Sequence, residues 1–381
     1  MDFSLGLNRE YISLNTIEIS RKNLLDNYDF FKNLGRTQGS ARTIWPVLKS
    51  NAYGHGIRQV TEILLERNFE YFVVDGYHEV LEIRKITKRP VLMIGAMLPE
   101  NFKNIKWKNL AVMVQDRETI KALGKLNKKI KIHLKVNTGM NRQGIEIVDL
   151  RSLIVEIKKY PKLILEGVMS HLADADNSND KKNNDQIKKF EEVIKIVEDS
   201  GIELKYCHLA ATAGAVKIKN PKINAVRLGI GLYGINNLEK QDKNYKKFKE
   251  LKPALSFKTV LTTLRTVKKG ERVSYNWIWE AKKTTNIGVI PVGYNEGLDR
   301  RLSNKGWVKY KNKFYPIIGR ICMNLAIINL GQTKAKLFDE VEVISNNRQD
   351  KNSIGNMASL CHTITYDLLV RINSSIRRII K

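Results

Sequence analysis

The sequence predicts an α/β protein: a (β/α)8 barrel of the TIM type, followed by a C-terminal, mainly antiparallel β-domain. The chain has 381 residues, more than one compact core usually holds. Its first two thirds alternate short apolar runs with longer helical patterns, which is typical of parallel strands covered by helices. Beyond a lysine-rich segment at residues 245–252, short strand-like runs separated by turn signals predict a second, all-β domain.

Eight apolar runs in the first part of the chain predict buried strands. They are residues 44–48, 71–74, 91–94, 111–114, 130–136, 165–169, 206–209 and 225–228. The helical patterns between them are residues 60–68, 78–85, 116–127, 149–160 and 185–200, and Ser20 is a predicted N-cap for residues 21–34. Eight parallel strands are the number that closes a barrel, and an open doubly wound sheet is the alternative.

We place the barrel domain at residues 12–247 and the β-domain at residues 248–381, and we expect residues 1–11 to pack with the β-domain. The strand-like runs of the β-domain are residues 256–266, 286–291, 307–310, 314–318, 325–329 and 340–344. A late helix is predicted near residues 354–361, followed by a helical or extended tail.

The chain is strongly basic, with a formal net charge of +27. Such a charge is found in proteins that bind nucleic acid or membrane surfaces. Here the basic residues are spread along the chain and mixed with asparagine, as at residues 181–184 and 243–247, without a zinc finger or an RNA-binding motif. We therefore expect a solvated basic surface with salt-sensitive binding to polyanions and no specific nucleic-acid partner.

The three cysteines are odd in number and far apart, so they predict neither a disulfide framework nor a metal site. The first twelve residues lack the apolar run of a secretory signal. No stretch has the roughly 20 apolar residues that a membrane span requires. We therefore expect a soluble, cytoplasmic protein without a membrane or metal partner.

Polar side chains follow several of the predicted barrel strands. They are Lys49, Lys135, Asn137, His171, His208 and Arg227. Each alone is most simply a surface charge, a structural histidine or a salt-bridge partner. Because barrel enzymes carry their active sites where the strands end, the convergence of these residues on one rim favours an active site.

The residues around Lys49 resemble the cofactor-lysine motif of the alanine racemase family. The motif is Val47-Leu48-Lys49-Ser50-Asn51-Ala52-Tyr53-Gly54-His55-Gly56. The resemblance continues through residues 134–144, 167–173, 226–234, 251–256, 270–275, 291–297 and 319–324, and ends near Tyr366 and Arg371. It spans nearly the whole chain in the family's order, and it implies a racemase that uses pyridoxal 5′-phosphate (PLP) on the two-domain fold predicted above.

The resemblance implies that Lys49 holds PLP through a Schiff base and then acts as a base on one face of the substrate Cα. Racemisation breaks a Cα–H bond of very low acidity, and PLP accepts the resulting negative charge. Inversion needs a second base on the opposite face, which the resemblance assigns to Tyr275. A phenol has a reference pKa of about 10, so a neighbour must tune it, and the family position implies His171.

The resemblance also assigns residues to the cofactor and the substrate. It places Arg227 at the pyridine nitrogen, where a guanidinium can only donate, so that the nitrogen stays unprotonated. Arg142 contacts the cofactor's phenolic oxygen, and Lys135 is the lysine that is often carbamylated and positions that arginine. The implied phosphate ligands are Tyr53, Thr212, Gly229, Ile230 and Tyr366. The implied substrate contacts are Arg142, the backbone N–H of Met323, and Tyr294 at the entrance.

Lys49 and Tyr275 lie in different predicted domains. In the family, the β-domain of one subunit closes the barrel mouth of the other, which implies a homodimer with composite sites. The implied activity interconverts L- and D-alanine and supplies D-alanine for peptidoglycan. Two alternatives stay open: a racemase of another small amino acid such as serine, and a non-catalytic PLP-binding protein with the same fold.

Some positions depart from the residues usual in the family. They are Asn137 for Asp, Asn141 for Gly, Ala211 for Asn, Thr212 for Ser, Asn295-Glu296 for Ala-Asp, and residues 75–78 for small and acidic residues. Asn324 replaces the Asp usual after Cys322-Met323. Since this change removes a carboxylate beside the substrate site, we expect it to alter rate, pH dependence or specificity.

Overall fold

The computed structural model describes residues 12–37 and 42–381. The chain divides into two compact units. The barrel unit consists of residues 25–37, 42–50 and 61–251, and the β-unit of residues 12–24, 51–60 and 252–381. The predicted packing of residues 1–11 lies outside the described residues.

The described chain begins with strand β1 (Thr16–Ile19) and helix α1 (Arg21–Thr37). The N-terminus of α1 is capped as the sequence predicts, because the hydroxyl of Ser20 accepts a hydrogen bond from the backbone N–H of Asn23 at 3.3 Å. Strand β1 alternates half-buried residues with Ile17 and Ile19, which are fully buried. This period of two is typical of a strand with one face on a core.

Eight parallel strands form the barrel unit. They are β2 (Thr43–Pro46), β3 (Phe72–Val74), β4 (Val91–Met93), β5 (Leu110–Val114), β6 (Ile130–Lys135), β7 (Leu163–Met169), β8 (Tyr206–His208) and β9 (Ala225–Leu228). Strands β3 to β8 pair in sequence, and β2 pairs with β9. Bridges from Val47 to Val73 and from Ala210 to Val226 join the two sheets into a closed ring. The predicted (β/α)8 barrel is confirmed, and the open doubly wound alternative is wrong.

Helices connect most of the barrel strands. They are α2 (Lys49–Tyr53), α3 (Ile57–Leu64), α4 (Tyr77–Arg84), α5 (Arg117–Lys125), α6 (Leu150–Lys158), α7 (Lys181–Asp199) and α8 (Gly214–Lys217). Helix α5 shows why these segments are helical. The Asp116 carboxylate accepts a hydrogen bond from the Thr119 N–H at 2.7 Å, and Ile120 and Leu123 are buried one turn apart.

The β-unit is built around a nine-stranded sheet. Its later strands are β10 (Leu255–Val260), β11 (Thr263–Val267), β12 (Arg272–Val273), β13 (Trp279–Glu280), β14 (Thr285–Ile290), β15 (Trp307–Tyr310), β16 (Lys313–Ile318), β17 (Ala326–Gly331), β18 (Glu340–Ile344) and β19 (Arg377–Ile380). The sheet order is β11-β14-β17-β16-β15-β18-β10-β1-β19, with β12 and β13 in a separate hairpin. The pairing is antiparallel except between β1 and β19. Helices α9 (Ile354–Leu360) and α10 (Thr365–Val370) precede the last strand.

The structure differs from the sequence prediction in three features. Residues 51–60, which the prediction placed in the barrel domain, belong to the β-unit. Strand β1, which the prediction placed in the barrel domain, pairs with β10 and β19 in the β-unit. The single strand predicted over residues 256–266 is two strands, because the chain changes partner. The N–H of Leu261 donates to Asp339, whereas the N–H of Thr262 donates to Val289.

Two further expectations concern the domain boundary at residue 247 and the absence of a membrane-spanning segment. The structure changes from one unit to the other between Leu251 and Lys252, a few residues after the predicted boundary at 247. Over residues 12–37 and 42–381, none of the helices combines the length and apolar character that crossing a bilayer requires.

Candidate active site

Lys49 stands at the end of the first barrel strand and leads into a left-handed turn. Ser50, Asn51, Ala52 and Tyr53 all have φ between 52° and 55°. A left-handed helical conformation costs an L-residue about 1–2 kcal/mol, and four such residues in succession are uncommon. Backbone strain of this kind is concentrated at functional sites.

The backbone on both sides of Lys49 is fixed within the barrel unit. The Leu48 N–H donates to the Val73 carbonyl at 2.8 Å. The Ser50 N–H donates to the buried carboxylate of Glu79 at 2.5 Å. The backbone of Lys49 is therefore held in one position. A residue that must present its amine in one direction requires such a fixed backbone.

The rim of the barrel carries a cluster of positive charge. Burial lowers the pKa of Lys135 to about 8, and the charges of Arg227, Arg142 and Lys49 contribute to the shift. Burial and these same cations lower the pKa of His171 to about 3. Because the basic groups repel one another, the cluster fits an anionic ligand, and PLP carries a phosphate and a phenolic oxygen.

Arg227 is 4% exposed and is held by side chains and carbonyls around it. One terminal nitrogen donates to Nδ1 of His208 at 2.7 Å and to the His208 carbonyl at 2.6 Å. The other donates to the Ser170 carbonyl at 2.7 Å and to Nδ1 of His171 at 3.1 Å. These contacts fix the plane of the guanidinium at the end of strand β9.

A hydrogen-bonded chain leads from Arg227 into the barrel core. Since arginine can only donate, Nδ1 of His208 accepts and its Nε2 carries the proton. That proton is donated to Nδ1 of His133 at 2.8 Å. Nε2 of His133 then donates to the Glu166 carboxylate at 3.3 Å. The direction of each hydrogen bond in this relay, from Arg227 to Glu166, is thus determined.

Glu166 is the anionic end of the relay. Its carboxylate also accepts hydrogen bonds from Lys131 at 2.6 Å and from the hydroxyl of Tyr71. Burial alone would raise the pKa of Glu166, but the hydrogen bonds from His133, Lys131 and Tyr71 lower it to about 2. Burial lowers the pKa of both relay histidines, so the relay holds a carboxylate and two neutral imidazoles behind a charged arginine.

Sequence reasoning missed His133 and Glu166 and gave His208 no role. A signal was present in strand β6, where Lys131, His133 and Lys135 alternate with apolar residues. In a barrel, one of two alternating sets faces the interior. Polar residues in that set indicate an internal hydrogen-bond network.

The predicted phosphate ligands of the barrel unit lie close together. The Gly231 N–H donates to the Thr212 hydroxyl oxygen at 3.0 Å, and Gly229 and Ile230 are buried in the same turn. A Cβ on Gly231 would lie 2.6 Å from Thr212 and 2.7 Å from Phe31. Glycine is therefore required there, and the Thr212 hydroxyl keeps its proton for a further acceptor.

The other two predicted phosphate ligands meet in the β-unit. The rings of Tyr53 and Tyr366 have centroids 6.0 Å apart. The segment that carries Tyr53 is held by Arg378, whose Nε donates to the Gly54 carbonyl at 3.0 Å. Gly54 has φ 81°, and a Cβ there would lie 2.0 Å from the Leu369 carbonyl oxygen, so only glycine fits beside Tyr53.

The β-unit also carries Tyr275, Tyr294 and Met323, which are 67%, 45% and 58% exposed. Tyr275 lies between Ser274 and Asn276, which have φ of 66° and 59°. The hydroxyl of Ser274 donates to the Arg320 carbonyl at 2.7 Å and so holds the turn. These large side chains are available to a ligand or to another chain.

Two departures from the family pattern form a matched pair. Oδ1 of Asn137 accepts hydrogen bonds from the backbone N–H groups of Gly139 and Asn141. Nδ2 of Asn137 donates to Asn141 at 2.9 Å and to Glu146 at 2.8 Å. Asn141 has φ 52°, a conformation that asparagine tolerates better than most residues. Asn141 thus occupies a glycine-like position while its side chain binds Asn137.

Two family models match the chain, the alanine racemase N-terminal domain over residues 19–237 and the alanine racemase C-terminal domain over residues 254–380. The alanine racemase of Francisella philomiragia is 33% identical over 371 residues, which is 96% of this chain and 99% of that protein.

Solved structures agree over the same span. An alanine racemase of Clostridium difficile 630 has a TM-score of 0.89 at 26% identity, covering 98% of this chain and 97% of the other. The alanine racemase of Bacillus anthracis with bound L-Ala-P has a TM-score of 0.86 at 27% identity, covering 97% and 96%.

The barrel, the β-unit and these similarities define the class of protein as a PLP-dependent isomerase, a racemase. Within that class, the chain belongs to the alanine racemase family.

Proposed function

We propose that this chain interconverts L- and D-alanine, with Lys49 and Tyr275 as the two bases. The observation that carries the proposal is the cationic cluster at the barrel rim, where burial and then the charges of Arg227, Arg142 and Lys49 lower the pKa of Lys135. An anionic cofactor relieves the repulsion within this cluster. When bound, PLP spreads the negative charge that develops at the substrate Cα.

Lys49 is the residue proposed to carry the cofactor and to move a proton at one face of Cα. Its support is the fixed backbone on either side of it and the left-handed turn that follows. The Nζ atom of Lys49 is the proposed base.

Tyr275 is proposed to move a proton at the opposite face, with His171 stabilising its phenolate. Because Arg227 donates to Nδ1 of His171, the neutral imidazole carries its proton on Nε2. A neutral Nε2–H donor of this kind stabilises an anionic oxygen. The lowered pKa of His171 supports the neutral form at physiological pH.

Arg227 is proposed to donate to the pyridine nitrogen of PLP. A guanidinium keeps its charge because of its own high pKa, and His208 behind it accepts its hydrogen bond. A donor that cannot give up its proton leaves the ring nitrogen unprotonated. This restrains charge delocalisation and limits side reactions such as transamination.

Lys135 and Arg142 are proposed to act together at the phenolic oxygen of PLP. A lysine amine must be neutral to react with CO2, and the lowered pKa leaves about a tenth of Lys135 neutral at pH 7. Nζ of Lys135 donates to Gln143 at 2.6 Å, the residue next to Arg142. A carbamate on Lys135 would supply the anion that orients Arg142.

The remaining proposed contacts divide between phosphate and substrate. For the phosphate they are Tyr53, Thr212, Gly229, Ile230 and Tyr366. For the substrate they are Arg142, the backbone N–H of Met323, and Tyr294. Hydroxyls and backbone amides suit a phosphate, and glycine allows its close approach.

The proposed assembly is a homodimer in which each active site combines a barrel unit with the partner's β-unit. The exposed side chains of Tyr275, Tyr294 and Met323 support it, since they are large groups suited to an interface. A cytoplasmic location and a role in supplying D-alanine for peptidoglycan are part of the same proposal.

Covalent labelling and turnover test the function together. Borohydride treatment of the PLP-loaded protein should fix the cofactor to Lys49, and the untreated protein should racemise L-alanine faster than L-serine. Lys49→Ala should lose the label and the turnover, while Lys103→Ala, a change at an exposed lysine, should keep both. A label on another residue would exclude the proposed base. PLP binding without hydrogen exchange at the substrate Cα would favour the non-catalytic PLP-binding protein. Faster turnover of L-serine than of L-alanine would favour a racemase of another small amino acid.

A further inference from the structure

The carboxylate missing at position 324 has a counterpart in the β-unit. The side chain of Glu296 is buried, with 9% of the residue exposed. One carboxylate oxygen accepts hydrogen bonds from Nδ2 of Asn324 at 2.8 Å and from Nδ2 of Asn295 at 3.0 Å. The other accepts from the Gly293 N–H at 2.8 Å. Three of the departures from the family, at 295, 296 and 324, thus form one hydrogen-bonded group.

This group joins two loops, residues 293–298 and 320–325. The Tyr294 N–H donates to the Cys322 carbonyl at 3.1 Å, and the Asn295 N–H donates to the Met323 carbonyl at 2.9 Å. A Cβ on Gly293 would lie 2.2 Å from the Cys322 carbonyl oxygen and 2.4 Å from that of Met323. The loops are therefore as close as backbones can pack, and Glu296 lies at their junction.

The chemistry of the three side chains is complementary. A carboxylate can only accept hydrogen bonds, and an amide NH2 can donate two. Where the family usually has two acids, at 296 and 324, this chain has one acid and two amide donors. The additional methylene of Glu, compared with Asp, gives the single carboxylate the reach to accept from both amides and from the backbone.

We propose that Glu296 is a positioning residue for the substrate entrance. Its carboxylate joins the two loops that present Tyr294 and Met323. The inference rests on the proposed function, because it takes the substrate-contact roles of those two residues from it. It makes Asn324 a hydrogen-bond donor to the remaining carboxylate rather than a simple loss.

A charge exchange between the two positions tests the proposal. In Glu296→Gln, an NH2 donor replaces one of the two carboxylate oxygens. The loops therefore lose a hydrogen-bond acceptor and the negative charge. We expect KM for L-alanine to rise roughly tenfold, the value of about one charged hydrogen bond, with a smaller change in kcat. In Asn324→Asp, two carboxylates lie within hydrogen-bond distance and repel, so KM should rise as well. The double variant restores one acid and one amide donor, and its KM should return to within about threefold of the wild-type value.

Amide hydrogen exchange measures how firmly the two loops are held together, without any enzymatic turnover. The Asn295 N–H, which is bonded to Met323, should exchange faster in each single variant and return to the wild-type rate in the double variant. PLP absorbance should be equal in all four proteins, and Glu203→Gln, at an exposed site, should match the wild type throughout.

The outcomes separate the two proposals. Strictly additive effects of the single variants, or unchanged KM and exchange in Glu296→Gln, would overturn the positioning role. Wild-type protein without alanine turnover would overturn the proposed function, while the exchange measurement would still decide whether Glu296 holds the loops.

Discussion

The guanidinium of Arg227 donates a hydrogen bond of 2.7 Å to Nδ1 of His208, and this contact orders every hydrogen bond behind it. Because each Nδ1 accepts, each imidazole donates its Nε2–H to the next group, and the Glu166 carboxylate accepts the last of these hydrogen bonds. A guanidinium is charged because of its own high pKa, and the relay holds that of Arg227 in place. The proposed electronic restraint on the cofactor therefore depends on a carboxylate three side chains deeper in the barrel.

Replacing Glu166 tests the relay. Its pKa of about 2 in the folded protein lies below the ordinary value of 4.5, so the ionised carboxylate stabilises the fold above pH 4.5. This contribution decreases as the pH falls through that range toward 2. We expect Glu166→Gln to lower the free energy of unfolding at pH 7 by about 3 kcal/mol. Urea unfolding of both proteins between pH 7 and pH 3 should show the difference shrinking toward acid.

The matched control is Glu203→Gln, an exposed glutamate whose removal should change stability by less than about 0.5 kcal/mol. A Glu166→Gln protein as stable as the wild type at pH 7 would show that the carboxylate is not the acceptor of the relay.

The barrel was predictable because most of its strands are apolar runs bounded by polar residues, as in β5, where all five residues are buried. Strand β1 was missed because its four residues alternate polar and apolar side chains and so contain no apolar run. The left-handed turn after Lys49 has no sequence signal, since Ser50 to Tyr53 contain no glycine to indicate positive φ.

The internal contacts of the site were less predictable than the rim positions. His133 and His208 are 75 residues apart in sequence, and Glu296 and Asn324 are 28 apart. Local patterns report the period of a strand but not which side chains of different strands meet. The resemblance to the family identified departures one at a time, whereas only the fold shows that Asn295, Glu296 and Asn324 form one hydrogen-bonded group.

The buried His55 makes stability sensitive to mild acid. Burial lowers its pKa to about 4, below the value of about 6.5 that it has when unfolded. Between these values the unfolded chain binds a proton that the folded chain does not, so stability falls as the pH drops from 6.5 toward 4. The wild type should lose about 2 kcal/mol more between pH 7 and pH 5 than His55→Gln.

The comparison is made by chemical unfolding at the two pH values, with each variant referred to its own stability at pH 7. His362→Gln removes an exposed histidine and should follow the wild-type pH dependence. Equal pH dependence of the wild type and His55→Gln would mean that His55 titrates normally in the folded protein.

Carbamylation of Lys135 predicts a dependence on bicarbonate. The amine is neutral often enough at pH 7 to react with CO2, and the reaction replaces a repelled cation with an anion. In 13C-labelled bicarbonate, the wild type should show a carbamate resonance that is absent from Lys135→Arg. Removing bicarbonate should raise KM for alanine in the wild type and leave Lys135→Arg unchanged. A wild-type spectrum without the resonance, at a saturating bicarbonate concentration, would contradict the modification.

Shared active sites predict complementation between two inactive chains. Lys49→Ala removes the base of the barrel unit, and Tyr275→Phe removes the base of the β-unit. In a heterodimer, the intact barrel of one chain meets the intact β-unit of the other at one of two sites. Random mixing makes half of the dimers heterodimers, so about a quarter of the wild-type activity should return.

The control pairs Lys49→Ala with the double variant Lys49→Ala/Tyr275→Phe, which offers no intact barrel and should stay inactive after mixing. Native mass spectrometry should verify heterodimers in both mixtures. Heterodimers without recovered activity would place Lys49 and Tyr275 in the same subunit's site, because two bases of one chain cannot complement across an interface.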